Sequence, residues 1–258
     1  MSIHPAAIVS PQARIHESAE IGPYCILGED VEIGAHTRMM AHVYCEGVTV
    51  IGESNVFYPY STVGVASQDK KYKGERAETH IGNGNTIREF VTIHRGTQGG
   101  GLITQIGDGN LFMAYVHIAH DVKIGNHTTL ANGVTFAGHV MVEDYANIGA
   151  HTGVHQFSRV GRHSIIGGYS VVVQDVLPFS NTVSEREIRV FGANRIGMER
   201  AGFPVETIEG LQTAFRLLTR AGLNTTQAIE RIQAEVPETP ELRELIDFIR
   251  TSARGVIK

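Results

Sequence analysis

Ile106-Gly-Asp-Gly-Asn-Leu-Phe112-Met-Ala-Tyr-Val-His-Ile118-Ala-His-Asp-Val-Lys-Ile124 decides the fold. An apolar residue returns at every sixth position, and the rhythm continues through Leu130, Phe136, Val142, Ile148, Val154, Val160, Ile166 and Val172. Upstream, the same period runs one residue out of phase. It holds Ile3, Val9, Ile15, Ile21, Leu27, Ile33, Met39, Cys45, Ile51, Phe57 and Val63, then Ile81, Ile87 and Ile93. Glycine often follows the anchor, as at Gly22, Gly34, Gly107 and Gly125. Four positions after it stands a small or β-branched residue such as Ala19, Cys25, Val43 or Thr128. A period of six fits neither a helix face nor plain strand alternation. It fits a coiled parallel β-structure with a corner at each sixth residue. Anchors point inward, small residues fill the corners, and glycine is expected to relieve backbone strain where the chain turns.

This pattern resembles the hexapeptide-repeat left-handed β-helices, which implies three faces and eighteen residues per coil. The fold class expected is mainly β: a left-handed parallel β-helix of hexapeptide repeats with a C-terminal α-helical domain. The β-helix is expected over 1–190, with loops at about 64–80 and 95–105, and the helical domain over 191–258. In that second part Ile208, Leu211, Phe215 and Leu218 form one apolar helical stripe. Thr225 or Thr226 is expected to cap the next helix, and Thr239-Pro240 is a cap-and-first-turn signal for a third.

Composition narrows the function. The 258 residues carry a formal charge of -5, which gives no electrostatic case for nucleic acid. No apolar run approaches the roughly 20 residues of a membrane span, and no signal-peptide core opens the chain, so a cytoplasmic protein is expected. Cys25 and Cys45 fall at apolar repeat positions and are expected to be buried thiols rather than a disulfide or a nucleophile. No Walker or Rossmann glycine pattern occurs, and no cofactor is expected.

The 13 histidines gather largely between His94 and His163. With eighteen residues per coil, Ile118, Phe136 and Val154 stack on one face, so the residues after them converge: His120 and Asp121, Gly138 and His139, His155 and Gln156. His127 and His163 fall in another column. Such a convergence suits a general base. Imidazole titrates near working pH, a carboxylate such as Asp121 can orient it, and the Gly138 N–H can serve an oxyanion. The competing structural explanation is a set of corner histidines bonded to backbone. A zinc site is a third possibility, with His117-x-x-His120 loosely metal-like, but the paired histidine spacing of a γ-type zinc carbonic anhydrase is missing near His117; no metal is expected. A structural trimeric scaffold and an acetyl-CoA-dependent sugar acetyltransferase would share the repeat.

More specific runs separate these. Gln68-Asp69-Lys70-Lys71-Tyr72-Lys73-Gly74-Glu75, Ile93-His94-Arg95-Gly96-Thr97, His117-Ile118-Ala119-His120-Asp121, Ala137-Gly138-His139-Val140 and Val154-His155-Gln156-Phe157 together resemble the acyl-ACP:UDP-N-acetylglucosamine O-acyltransferase family of lipid A synthesis, over essentially the whole chain. The resemblance implies a homotrimer with sites between subunits, acting on a UDP-sugar and on acyl carrier protein bearing a 3-hydroxyacyl thioester. It implies His120 as general base, Asp121 as its support and Gly138 as oxyanion donor. Asp69, Lys71, His117, His139, His155 and Gln156 match positions that bind the nucleotide sugar or shape the site. Asn194 and Arg200 match the nucleotide and carrier end, and Gly168 the position that limits acyl length. Two positions depart from the family pattern. Ile196 stands where glutamate is usual, and Val183-Ser184-Glu185-Arg186 replaces Gln-Gly-Asn-His. They leave a 3-amino sugar acceptor, hence amide formation, as an alternative to the 3-hydroxyl.

Overall fold

The computed structural model describes residues 2–184 and 188–257; Glu185 and Arg186 of the departing run lie outside them. The chain winds as a left-handed parallel β-helix. Its three sheets contain 11, 9 and 8 strands among the described residues, and within the coils each strand pairs parallel with the equivalent strand of the next. Ser2 pairs with Glu20 and His117 with Thr135, one coil of eighteen residues apart. Phe57 instead pairs with Ile87 and Ile81 with Ile106, because the two polar loops are inserted into single coils there.

The six-residue anchors form the core. From Ile21 to Val172 every one is buried, with Phe57, Phe112 and Phe136 the largest. Each such burial contributes roughly 1.5–3 kcal/mol. The small corner residues Ala19, Cys25, Val43, Val116 and Val122 are completely enclosed. Both cysteines are free and buried, and burial pushes the Cys45 thiol up to about 12. A buried ladder of Asn55, Asn85 and Asn110 runs up one corner: the Asn55 and Asn85 side-chain carbonyls each accept from the next asparagine's N–H groups, and that of Asn110 accepts from Thr128. It satisfies polar groups that the core would otherwise leave unpaired.

The glycines play a different part from the one their position suggests. Gly22, Gly34, Gly107 and Gly125 are not in the left-handed region. A Cβ there would run into the coil above, at Met40 O for Gly22 and Gly125 O for Gly107. They are required by close stacking of coils. The left-handed corner residue comes three after the anchor and is seldom glycine. Tyr24, His42, Tyr60, Phe90, Tyr115, Asp121, His127, His139 and Phe157 all have φ between 54° and 66°. Left-handed backbone costs a side chain roughly 1–2 kcal/mol. Stacking supplies the compensation. Tyr24, His42, Tyr60, Phe90 and Tyr115 form a continuous stack with ring centroids 4.8–5.1 Å apart, the spacing of the coils themselves.

Past Val172 a hairpin of Ser180–Ser184 and Ile188–Ala193 closes the first sheet. Four helices follow: α1 Arg195–Arg200, α2 Val205–Arg220, α3 Thr225–Glu235 and α4 Pro240–Thr251. α2 buries Ile208, Leu211, Phe215 and Leu218. α4 starts as expected, Thr239 accepting from Leu242 N with Pro240 in the first turn. α3 is capped one residue earlier than expected. Asn224 and Gln227 close a reciprocal capping box, and an amide accepts the free N–H as well as a threonine does.

Candidate active site

The corner between the second and third sheets holds the histidine cluster. Asp121, His139 and Phe157 occupy successive left-handed corner positions, and His120, Gly138 and Gln156 precede them. His139 stacks on Phe157 at 4.5 Å. Asp121, only 4% exposed, cannot join an aromatic stack. It holds His120 instead: His120 Nδ1 lies 2.7 Å from Asp121 Oδ2. With the carboxylate ionised, Nδ1 carries the proton and donates, which leaves a lone pair on Nε2. That atom lies 3.9 Å from Asp69 Oδ2 on the first polar loop, too far for a direct bond and right for a bridging hydroxyl.

Gly138 sits against the His120 ring. A Cβ at position 138 would fall on His120 Cε1 and Nε2, so only glycine lets the imidazole keep its place. The Gly138 N–H meets no acceptor among the described residues. Together these put a free donor and a proton acceptor side by side.

A groove of about 670 Å³ runs up the second sheet from this corner. Asp69 and Lys71 enter it from the first loop, with His94, His117, His120, His155 and Gln156 from successive coils. Asp69 Oδ1 accepts from Lys71 N, fixing the loop tip. His117 Nδ1 contacts Thr92 Oγ1 at 2.7 Å, and its ring meets His94 edge-on. Burial pushes the His94 imidazole down to about 4, helped by His117, His120 and Arg95 nearby. Burial also lowers His117 and His139; Asp121 opposes the shift at His139 without cancelling it. These three stay neutral at neutral pH, so a positive charge forming on His120 has no cationic histidine beside it.

The structure thus gathers Asp69, Lys71, His117, His120, Asp121, Gly138, His139, His155 and Gln156. It does not bring Asn194, Arg200 or Gly168 to that corner. Asn194 caps α1, accepting from Gly197 N, and donates to His163 O at a different corner. Arg200 is exposed at the end of α1. Gly168, beside the corner residue Tyr169, is at the opposite edge of the same face; a side chain there would meet Ala150 O at 3.0 Å and otherwise project outward. Three contributors were not foreseen. His94 lines the groove although its ring is almost fully buried. Thr97 bonds Asp121 through both its N–H and its hydroxyl. Arg254, from the C-terminal tail, reaches His155 Nδ1 at 3.3 Å. His94 and Thr97 both lie in the Ile93–Thr97 run, but the reach of Thr97 to Asp121 and of Arg254 to His155 depends on chain segments brought from elsewhere.

Donor atoms of His120, Asp121 and His139 lie within 4.8 Å of one another. Asp121 Oδ2 is already shared by the Thr97 hydroxyl at 2.6 Å and His120 at 2.7 Å. That suits an orienting carboxylate better than a third ligand in a histidine-rich zinc site.

Residues 175–257 match the family model described as Udp N-acetylglucosamine O-acyltransferase, domain 2, and residues 103–138 match the bacterial transferase hexapeptide model. The acyl-[acyl-carrier-protein]--UDP-N-acetylglucosamine O-acyltransferase of Thermodesulfovibrio yellowstonii is 48% identical over 99% of each chain. Its namesake from Halorhodospira halophila is 43% identical over the same share. Among solved structures, LpxA from Acinetobacter baumannii superposes with a TM-score of 0.95 at 42% identity, covering 99% of both chains. LpxA from Bacteroides fragilis, a UDP-N-acetylglucosamine acyltransferase, does so with 0.96 at 39%, covering 99% and 100%. With relatives this similar from end to end, the chain belongs to the UDP-N-acetylglucosamine O-acyltransferase family.

Proposed function

We propose that this protein transfers a 3-hydroxyacyl chain from acyl carrier protein to the 3-hydroxyl of UDP-N-acetylglucosamine, the first step of lipid A biosynthesis. The observation that carries the mechanism is a single arrangement: an imidazole held through Nδ1 by Asp121, its Nε2 open to the groove, with the free Gly138 N–H against it. His120 Nε2 takes the proton of the sugar hydroxyl, which Asp69 helps to hold. The oxygen attacks the thioester carbonyl and a C–O bond forms. The tetrahedral oxyanion is stabilised by Gly138 N–H. Collapse breaks the C–S bond, and the imidazolium returns its proton to the departing thiolate of the carrier arm. A positioned base contributes roughly 10²–10⁴ in rate and one oxyanion donor roughly 10²–10³. No cofactor takes part.

Lys71, His117, His139, His155 and Gln156 bind the nucleotide sugar or shape its pocket. Asn194 and Arg200 serve the nucleotide and carrier end, and their distance from the His120 corner supports a homotrimer in which each groove is completed by a neighbouring copy. Gly168 leaves the acyl slot open for a long chain. The β-helix over 1–190 is the frame, and the domain over 191–258 receives the carrier. The enzyme works in the cytoplasm; no helix among the described residues is long and apolar enough to cross a membrane.

Mass spectrometry of products from UDP-N-acetylglucosamine and its 3-amino analogue, across 3-hydroxyacyl carrier lengths, tests this. An O-linked long-chain product is expected; an amide formed only from the amino sugar would reassign the acceptor. In the same assay His120→Ala should lose roughly 10²–10⁴ in kcat, and an undiminished rate would remove the base.

A further inference from the structure

The second polar loop acts on the catalytic corner through one side chain. Thr97 is 6% exposed and stands before the short 3-10 turn Gln98–Gly100. Its carbonyl accepts from Gly100 N and Leu102 N, closing the loop on itself. Its N–H donates to Asp121 Oδ1 at 2.8 Å and its hydroxyl donates to Asp121 Oδ2 at 2.6 Å. Asp121 N in turn donates to Thr104 Oγ1 at 2.8 Å, at the loop's other end. The loop packs so tightly that Gly100 has no room for a side chain: a Cβ would fall on the Asp121 carboxylate. At Gly96 one would strike the backbone of Leu102 and Ile103.

We propose that Thr97 is the positioning residue of the His120–Asp121 pair, and that loop 95–105 fixes the carboxylate in the one rotation that holds His120 Nε2 toward the groove. The proposal rests on His120 being the base. A buried carboxylate is tolerable only with its lone pairs engaged. Three donors engage this one, and two come from Thr97. Because the Thr97 hydroxyl and His120 Nδ1 share Oδ2, the carboxylate cannot rotate without losing both. Charge-assisted bonds of this length are the strong ones. The hydroxyl also withdraws charge from Oδ2, so the carboxylate orients the imidazolium without trapping it. Other charged or titratable groups facing the pair are Asp69 and His139, each 3.9 Å from one member, with His94, Lys71 and His117 along the groove and Arg95 behind His94.

Thr97→Val keeps size and branching and removes only the hydroxyl. It should lower kcat roughly ten-fold, the scale of one hydrogen bond to a charged group, with KM for both substrates within about two-fold. The acid limb of kcat/KM should move to higher pH, because a carboxylate with one donor fewer holds the imidazolium more firmly. Thr97→Ser should restore both quantities. On an Asp121→Asn background, Thr97→Val should cost little more. Full activity of Thr97→Val, an additive loss on Asp121→Asn, or an equal loss in Thr97→Ser would each overturn the proposal. If Thr97→Val does not fold, Thr97→Ala carries the same test with the same outcomes. His120→Ala, measured alongside, separates the two levels. An active His120→Ala removes the base and Thr97's role with it; an inactive one beside a fully active Thr97→Val removes Thr97 alone.

Discussion

Two corners of the same prism are built alike and do different work. At one, His127, Tyr145, His163 and Phe179 occupy successive left-handed positions and stack without a break. At the other, His139 and Phe157 stack in the same way, but the place below them is taken by Asp121. A carboxylate cannot continue an aromatic column. It turns to the loop that supplies Thr97 and to the imidazole one residue before it in the chain. A histidine on this repeat is therefore structural by default and becomes part of a site where the stack is interrupted. Arg162 marks the same division: its guanidinium lies over Phe179 and pairs with Glu244 of α4, joining solenoid to helices.

The largest effect that tests this contrast is expected at Gly138. Gly138→Ala places a methyl group on the His120 ring, and a displacement of about 1 Å at a catalytic group costs on the order of 10²-fold. Turnover should fall by that much while the melting temperature barely moves. A wild-type turnover would mean that the ring position is not what the glycine protects.

Next comes acid stability. Burial pushes His163 down to about 4, and His94 likewise. Unfolded histidine titrates near 6.5, so between about pH 6.5 and pH 4 the unfolded chain binds protons that the folded one refuses. Stability from each group is whole above pH 6.5 and is lost as pH falls to about 4, on the order of 3 kcal/mol apiece. His163→Phe keeps a ring between Tyr145 and Phe179 and removes the titration. The gap between urea midpoints at pH 7 and pH 4.5 should shrink by the His163 share in that variant, with the His94 share remaining and acyl transfer unchanged. His139→Phe should do the reverse, lowering acyl transfer and narrowing the gap between midpoints less than His163→Phe does, since burial lowers His139 too but less. Equal behaviour of the two variants would erase the distinction between the corners.

The smallest effect lies away from the His120 corner. Phe191, Arg195, Arg216 and Arg220 line a groove of about 370 Å³ between the hairpin and α2. Arg195 is engaged by Glu199, and Arg220 reaches Phe191 O at 3.4 Å. Surface charges of this kind act mainly on association rate. Charge reversal at Arg200 and Arg220 should raise KM for acyl carrier protein a few-fold, roughly, and leave kcat alone. An unchanged KM would make these arginines plain solvated surface.

Much of this was legible in the chain. The six-residue spacing of Ile106, Phe112, Ile118 and Ile124 states the coil directly, since an inward position must be apolar wherever it recurs. Adding one coil to His120 and Asp121 gave Gly138 and His139, and two coils from His120 gave Gln156, because parallel stacking makes each neighbour a fixed distance in sequence. The glycines after the anchors misled, because a glycine needed for close approach looks the same in sequence as one needed for positive φ. The cap of α3 was off by one for a similar reason: Asn224, Thr225 and Thr226 can all accept an N–H, and only the backbone path chooses.

What the sequence alone determined, then, was everything periodic: the core, the corner columns and the meeting of His120 with Gly138. What only the tertiary structure decided was everything contributed by chain that leaves the period. The loop insertions break the count, so no arithmetic leads from Thr97 to Asp121, from Asp69 to His120, or from Arg254 to His155. Those contacts depend on the path of a loop or tail through space. A hydrogen bond is satisfied by distance and direction, on which sequence separation outside a repeat has no bearing.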